Sequence, residues 1–184
     1  MLKSELRQQM RQLKRQFTPQ QLSELSLPVI ARLRDRLRGA HVVMAYYALP
    51  DEVCTHQLLD ELVAEGKTVL LPKVLSDDTM ELRCYTGPHS LREGAFYIME
   101  PVGAPFTDYQ LIDIALIPGV AFSADGHRLG RGKGYYDRFL SSRLSRRSLS
   151  QSKGSPLLVG VCFDFQKVPE VPSDAFDISV DEVI

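Results

Sequence analysis

The stretch LIPGVAFSADGHRLGRGKGYYDRFL, residues 116–140, decides the fold. It begins inside an apolar run, Leu111–Pro118 (LIDIALIP), which is typical of a buried strand. A glycine-rich loop follows the strand, and a helix is predicted from about Tyr135 to Leu144. A buried strand that passes through such a loop into a helix is the building unit of parallel α/β folds.

Strands and helices alternate on both sides of this unit. A further helix, closed by a glycine, is predicted at Thr55–Glu65. The other predicted strands are His41–Ala48, Thr68–Val74, Met80–Tyr85, Leu157–Phe163 and Ile178–Ile184. Strands separated by helices indicate a mostly parallel sheet covered on both faces. The sequence therefore predicts a single-domain, three-layer α/β/α fold over residues 1–184.

The first 38 residues are predicted to be helical and to precede an α/β core at 39–184. Apolar residues recur at helical spacing from Leu2 to Phe17, with basic residues between them. Thr18-Pro19-Gln20-Gln21 then supplies an N-cap, a proline at the first helical position and a capping-box glutamine. A second amphipathic helix is expected to end near Arg38.

Two stretches are predicted to lack regular structure. Residues 86–110 are rich in glycine and proline, and irregular segments of that length are often functional. Ser141–Ser155 is polar and rich in serine, which indicates a solvated, mobile connection.

The bulk composition limits the classes of function. The chain has 184 residues, 44% of them hydrophobic, and a net charge of −1, which favours neither a nucleic-acid nor a membrane partner. Three scattered cysteines, Cys54, Cys84 and Cys162, argue against a disulfide framework and a zinc site. No secretory signal or spanning segment is visible, so a cytoplasmic protein is expected. A monomer is expected as well, although no residue pattern decides the oligomeric state.

The glycine-rich loop has the chemistry of a phosphate site. Its glycines let backbone N–H groups approach phosphate oxygens, and Arg128, Arg131 and Lys133 add positive charge. Asp137 follows one turn into the helix, where it could help to hold a magnesium ion between phosphates. The loop matches neither the Walker A motif nor the dinucleotide-binding fingerprint. A flexible basic loop around a tight turn is the alternative interpretation.

The block GHRLGRGKGYYDRFL, preceded by LIPGVAF, closely resembles the signature of 5-formyltetrahydrofolate cyclo-ligases. Lys3-Ser4-Glu5-Leu6-Arg7 is similar to that family's N-terminal K-x-x-L-R. Tyr47–Glu52 (YALPDE) resembles its folate-facing turn, and Asp177–Val183 (DISVDEV) its C-terminal end. The central block is highly specific, whereas the other three would be weak alone. The resemblance implies the α/β fold shared with sugar-phosphate isomerases and CoA transferases.

The resemblance also implies roles for individual residues. Arg131 and Lys133 would be catalytic, and Asp137 and Asp177 would bind Mg²⁺. The implied ATP-binding residues are Lys3, Ser4, Glu5, Leu6, Arg7, Arg128, Leu129, Gly130, Arg131, Gly132, Lys133, Gly134, Tyr135 and Tyr136. The implied folate-binding residues are Tyr47, Glu52, Arg131, Gly132, Lys133, Gly134 and Tyr135.

The implied reaction is an ATP-dependent ring closure in one-carbon metabolism. The formyl oxygen of 5-formyltetrahydrofolate attacks the γ-phosphate, ADP departs, and the second nitrogen closes the ring as phosphate leaves. The product is 5,10-methenyltetrahydrofolate. Phosphoryl transfer mainly requires alignment and neutralisation of charge, which a metal, Arg131, Lys133 and backbone N–H groups can provide.

Each assignment has a simpler alternative. Lys3 and Arg7 could form only the solvated face of the first helix, Tyr47 could pack at a strand end, and Glu52 and Asp177 could belong to turns. Two other functions also stay open from the residues alone. The basic segments could bind nucleic acid, or the fold could carry a different enzyme with a phosphate ligand.

Overall fold

A mostly parallel sheet runs through the middle of the computed structural model, which describes residues 1–94, 98–144 and 154–184. The helices are α1 (Lys3–Lys14), α2 (Pro19–Leu37), α3 (His56–Ala64) and α4 (Tyr135–Phe139). The strands are β1 (Val42–Met44), β2 (Thr68–Val74), β3 (Met80–Tyr85), β4 (Leu91–Glu93), β5 (Met99–Pro101), β6 (Pro105–Phe106), β7 (Ile114–Pro118), β8 (Ala121–Phe122), β9 (Arg128–Leu129), β10 (Leu157–Val161) and β11 (Glu182–Val183).

The strand order of this sheet is β11-β10-β7-β1-β2-β3-β6 in the described residues. The pairs from β11 to β2 are parallel, whereas β3 and β6 are antiparallel to their neighbours. From β1 the chain proceeds to β2 on one side, and it later returns to β7 on the other. Connections therefore leave β1 and β7 in opposite directions, which opens a crevice at their carboxyl ends.

The central strands bury side chains on both faces. Val43 packs in the apolar cluster that contains α2 and α3 residues, whereas its neighbour Met44 packs with Phe122 and Phe139 on the opposite face. Leu116 packs in the first of these clusters and Ile117 in the second. The period of two in a strand produces this division, and it explains why these segments are continuously apolar.

The two N-terminal helices are positioned differently. The capping box at the start of α2 forms, since Thr18 Oγ1 accepts from Gln21 N at 3.2 Å and Gln21 Oε1 accepts from Thr18 N at 2.8 Å. Helix α1 buries Leu6 and Met10 in a separate cluster with Leu129 of β9. This packing holds α1 beside the glycine-rich loop.

The predicted α/β fold with a mostly parallel sheet is confirmed. Strands β2 and β3 have the predicted bounds. The strands predicted at 41–48 and 178–184 are shorter, because pairing is restricted to Val42–Met44 and Glu182–Val183. The boundary at 38/39 stays a prediction.

The two stretches predicted to be irregular differ from expectation in part. Short strands β4, β5 and β6 lie within residues 86–110. After α4, residues Leu140–Leu144 continue as a wider helical turn, and residues 145–153 of the predicted polar connection lie outside the described residues. Across the described ranges, no helix combines the length and apolar character needed to cross a bilayer.

We expect Gly160→Ala to destabilise the protein. A Cβ at position 160 would stand 2.5 Å from the ring of Phe122, which is fully buried. Such overpacking costs about 1–3 kcal/mol. Urea denaturation would measure the loss. Gly39→Ala is the control, because a Cβ there meets nothing within 4 Å, and equal stability of the two variants would contradict this account of the core.

Candidate active site

A cleft of about 440 Å³ occupies the carboxyl edge of the sheet, at the crevice between β1 and β7. Tyr46 and Tyr47, just after β1, and Pro118 and Gly119, at the end of β7, contribute to its wall. The strand order explains the position of the cleft. The connections after β1 and β7 run in opposite directions, so the loops that follow these two strands diverge and leave a space between them.

The glycine-rich loop forms one side of this cleft. Gly132 has φ 108° and Gly134 has φ 70°, conformations that residues with a Cβ rarely adopt. Arg7 of α1 holds the backbone of the loop, since its Nε donates to the carbonyl oxygen of Gly130 at 2.8 Å. The glycines are thus required by the backbone path and not only by access to a ligand.

A buried ion pair anchors both ends of the loop. Arg128 of β9 donates from Nη2 to both carboxylate oxygens of Asp137 in α4, each at 2.9 Å. Only 3% of the Arg128 side chain is exposed. Asp137 Oδ1 also accepts from the backbone N–H of Ile178 at 3.2 Å, so the pair fixes the C-terminal segment as well.

The two cations within the loop have different surroundings. Arg131 donates from Nη2 to Asp51 at 2.7 Å and to Glu52 at 2.9 Å, and it therefore ties the loop to the turn after β1. Burial alone would lower the pKa of Arg131, but Glu52 and Asp51 outweigh it and raise that pKa. Lys133 has no side-chain hydrogen bond or ion pair to any described residue, so its ammonium group is available to a ligand.

Lys3 brings the start of α1 to the C-terminal segment. Its ammonium group donates to Asp174 at 2.8 Å and to Asp177. Burial would lower the pKa of Lys3, but the hydrogen bonds to both carboxylates raise it above its ordinary value. Asp177 also closes a turn by accepting from the backbone N–H of Asp174 at 2.8 Å. Asp177 therefore belongs to a turn, as the simpler interpretation of the sequence held, and this turn lies at the edge of the cleft.

The turn after β1 presents Tyr47 and Glu52. The Tyr47 ring stacks on His56, with centroids 3.8 Å apart, and His56 Nε2 lies 2.9 Å from the carbonyl oxygen of Ala48. Glu52 accepts from the backbone N–H of Leu49 at 3.0 Å. Both side chains are thus held by local contacts while they face the cleft.

Another part of the cleft lining, here called the apolar wall, consists mainly of apolar residues that were not named from the sequence, with Glu100 beside them. They are Leu71, Pro72, Val74, Met80, Ile98 and Met99. The first three lie at the carboxyl end of β2, where the rule for parallel sheets would have indicated them. Ile98 and Met99 come from the stretch 86–110, whose length alone suggested a functional role.

Most of the residues implied by the resemblance line this cleft. They are Lys3, Arg7, Tyr47, Glu52, Arg128, Leu129, Gly130, Arg131, Gly132, Lys133, Gly134, Tyr135, Tyr136, Asp137 and Asp177. Ser4, Glu5 and Leu6 are not in its wall. Leu6 is buried in the α1 cluster, and Glu5 accepts from the backbone N–H of Leu2.

Asp137 and Asp177 can serve a metal ion only as part of a larger set of ligands. Within the described residues, no three His, Cys, Asp or Glu side chains form a metal-binding cluster. Both residues nevertheless line the cleft, and the backbone N–H of Ile178, which follows Asp177, donates to Asp137. Mg²⁺ commonly takes one or two carboxylates and completes its shell with phosphate oxygens and water, so the pair fits a metal that arrives with phosphates.

Known proteins resemble this chain over its full length. The model of the 5-formyltetrahydrofolate cyclo-ligase family matches residues 1–184. The 5-formyltetrahydrofolate cyclo-ligase of Mus musculus is 28% identical over 191 residues, covering 100% of this chain and 91% of the mouse protein. The probable 5-formyltetrahydrofolate cyclo-ligase of Schizosaccharomyces pombe is 34% identical over 149 residues, covering 77% and 73% of the two chains.

A solved structure is similar as well. The 5,10-methenyltetrahydrofolate synthetase of Aquifex aeolicus superposes with a TM-score of 0.81 at 35% identity, covering 100% of this chain and 89% of the Aquifex chain. The parallel sheet and its carboxyl-edge cleft define an α/β enzyme with one cationic and one apolar wall. The chain belongs to the 5-formyltetrahydrofolate cyclo-ligase family.

We expect Asp137→Asn to lower the free energy of unfolding by about 3 kcal/mol, because it leaves the buried Arg128 guanidinium without an anionic partner. Thermal and urea unfolding would measure the loss. Asp35→Asn removes an exposed Asp–Arg pair, with side chains 77% and 82% exposed, and should cost less than about 0.5 kcal/mol. If both variants were equally stable, the buried pair would not anchor the loop.

Proposed function

We propose that the protein uses ATP and Mg²⁺ to convert 5-formyltetrahydrofolate to 5,10-methenyltetrahydrofolate, with release of ADP and phosphate. The observation that carries this proposal is the two-sided cleft. A cationic glycine-rich loop and an apolar wall both line one space of about 440 Å³. The phosphates of a nucleotide suit the first side, and the rings of a folate suit the second.

The unpaired donors around the loop support phosphate binding. Lys133 has no described partner, and Arg7 uses only Nε within the protein. Arg128 Nε is buried without a hydrogen-bond partner among the described residues, which costs about 1–3 kcal/mol unless a ligand supplies an acceptor. Lys3 lies at the same end of the cleft, where it can contact the nucleotide if its carboxylate partners turn to a metal.

A bound Mg²⁺ would neutralise charge on the transferred phosphoryl group. Asp137 and Asp177 are the residues that would hold it. Because Arg128 already contacts both oxygens of Asp137, that carboxylate would be shared between the guanidinium and the metal. Arg128 also prevents Asp137 from turning away from the cleft.

The apolar wall and Tyr47 supply the surface for a flat ring system. Tyr47 is held by its stack on His56, and a preorganised ring loses little conformational entropy when a ligand packs on it. Glu52 faces the same space and can accept hydrogen bonds from ring nitrogens. Its pairing with Arg131 would bring the folate beside the phosphates of the nucleotide.

This adjacency accounts for the proposed chemistry. The formyl oxygen must approach the γ-phosphate in line with the departing ADP, and the cleft would hold both ligands in one space. Arg131 and Lys133 would lie where negative charge grows during transfer, and they would then stabilise the transition state more than the bound substrate. Phosphate then leaves as the second nitrogen closes the ring. A monomeric state and a cytoplasmic location complete the proposal.

Mixing the pure protein with 5-formyltetrahydrofolate, ATP and magnesium should produce the near-ultraviolet absorbance of the methenyl product. Omission of ATP, or addition of a chelator, should abolish the signal, because the cationic loop and the two carboxylates would have no phosphate or metal to act upon. A rate that is unchanged by the chelator would remove the metal from the proposal and leave the rest intact.

Arg131→Lys should reduce kcat by about tenfold or more, with a smaller change in the Michaelis constant for ATP, since lysine keeps the charge but not the two-pronged grip. Arg143→Lys is the matched control, because Arg143 is exposed and lies in the helical turn after α4. Full turnover in the Arg131 variant together with a loss in the Arg143 variant would place the active site elsewhere.

A further inference from the structure

A second, smaller cavity lies beside the cleft, on the α1 side of the glycine-rich loop. This side pocket has a volume of about 90 Å³ and is lined by Arg7, Met10, Arg11, Lys14, Asp51, Val120 and Arg131. Arg7 and Arg131 also line the main cleft, so the two cavities share a wall of guanidinium groups.

Positive charge in the side pocket exceeds negative charge. Four of its lining residues are cationic and one, Asp51, is acidic. Asp51 is divided between Lys14 at 3.2 Å and Arg131 at 2.7 Å. Burial would raise the pKa of Asp51, but these two cations outweigh it and lower that pKa, so the carboxylate stays ionised. Glu52, outside the side pocket, also pairs with Arg131 at 2.9 Å, so two carboxylates face four cations and positive charge still exceeds negative charge.

Several donors in the side pocket have no protein acceptor. Lys14 is only 8% exposed, and it donates to the backbone oxygen of Asp51 at 2.6 Å and to its carboxylate. These bonds use two of the three donors of an ammonium group. The side chain of Arg11 has no hydrogen bond or ion pair to any residue in the described ranges. Arg11 is exposed and Arg7 is partly exposed, so water can solvate their free N–H groups, and an oxyanion in the side pocket would gain guanidinium contacts without breaking an ion pair of either residue.

We propose that the side pocket binds one small oxyanion of the phosphate type, held by Arg7, Arg11 and Lys14. Its volume suits a single tetrahedral group, and guanidinium groups can each contact two oxygens of such an anion. The group could be free inorganic phosphate or one phosphate of a nucleotide that extends past Arg131. The site itself does not depend on the proposed reaction, because it follows from the charges of α1 and Asp51.

Calorimetric titration with inorganic phosphate at constant ionic strength tests the site. We expect Arg11→Gln to weaken binding by about fivefold or more, because a charge-assisted contact is lost. Arg15→Gln is the control, since Arg15 is an exposed residue at the end of α1 that does not line the side pocket. Arg11→Glu should weaken binding further. Equal binding by the wild type and both Arg11 variants, or an equal loss with Arg15→Gln, would overturn the proposal.

The same titration with a saturating non-hydrolysable ATP analogue identifies the source of the oxyanion. If phosphate still binds and Arg11→Gln still weakens it, the side pocket holds free phosphate. If the analogue blocks phosphate, and Arg11→Gln weakens the analogue itself, the side pocket holds a phosphate of the nucleotide. If the analogue blocks phosphate but binds the variant normally, phosphate binds in the main cleft and the proposal is wrong. None of these measurements uses turnover, so failure of the proposed reaction would be seen separately.

Discussion

The buried ion pair between Arg128 and Asp137 is the interaction on which the site depends. It joins β9 to α4 across the glycine-rich loop, and it reaches the C-terminal segment through the backbone N–H of Ile178. A guanidinium with 3% exposure cannot exchange this partner for water without a large desolvation cost. The loop therefore has fixed ends, while Gly132 and Gly134 give its middle an unusual backbone path.

Longer-range contacts determine what surrounds the loop. Arg7 brings α1 against Gly130, and Arg131 brings the turn after β1 against the other side. Burial of Leu6 and Met10 fixes the position of α1. This amphipathic helix therefore contributes residues to the walls of two cavities. Carboxylates and cations alternate around the loop. An anionic ligand must therefore bind either by replacing carboxylates in existing ion pairs or by contacting donors that have no acceptor in the protein.

Much of this was readable from sequence where the signal is local. The bounds of β2 and β3 were predicted correctly because apolar runs with clear ends encode strands directly, and the capping box of α2 formed as its four residues indicated. Strands β1 and β11 were predicted too long, since their extent depends on how much of a neighbouring strand is present to pair with. Asp51 and the apolar wall were not named, because their importance comes from partners far along the chain. The roles assigned to individual site residues stay predictions.

The sequence by itself determined the α/β class and the family, and it predicted phosphate-type chemistry for the loop, because burial periodicity, glycine positions and a specific block are local properties. Only the tertiary structure decided that Lys3 meets Asp177 across 174 positions, that Arg7 meets Gly130 across 123 and that Arg131 meets Glu52 across 79. No residue pattern specifies which of many cations pairs with which carboxylate. That choice follows from the change of winding direction between β1 and β7, which brings their carboxyl ends, and everything attached to them, to one edge of the sheet.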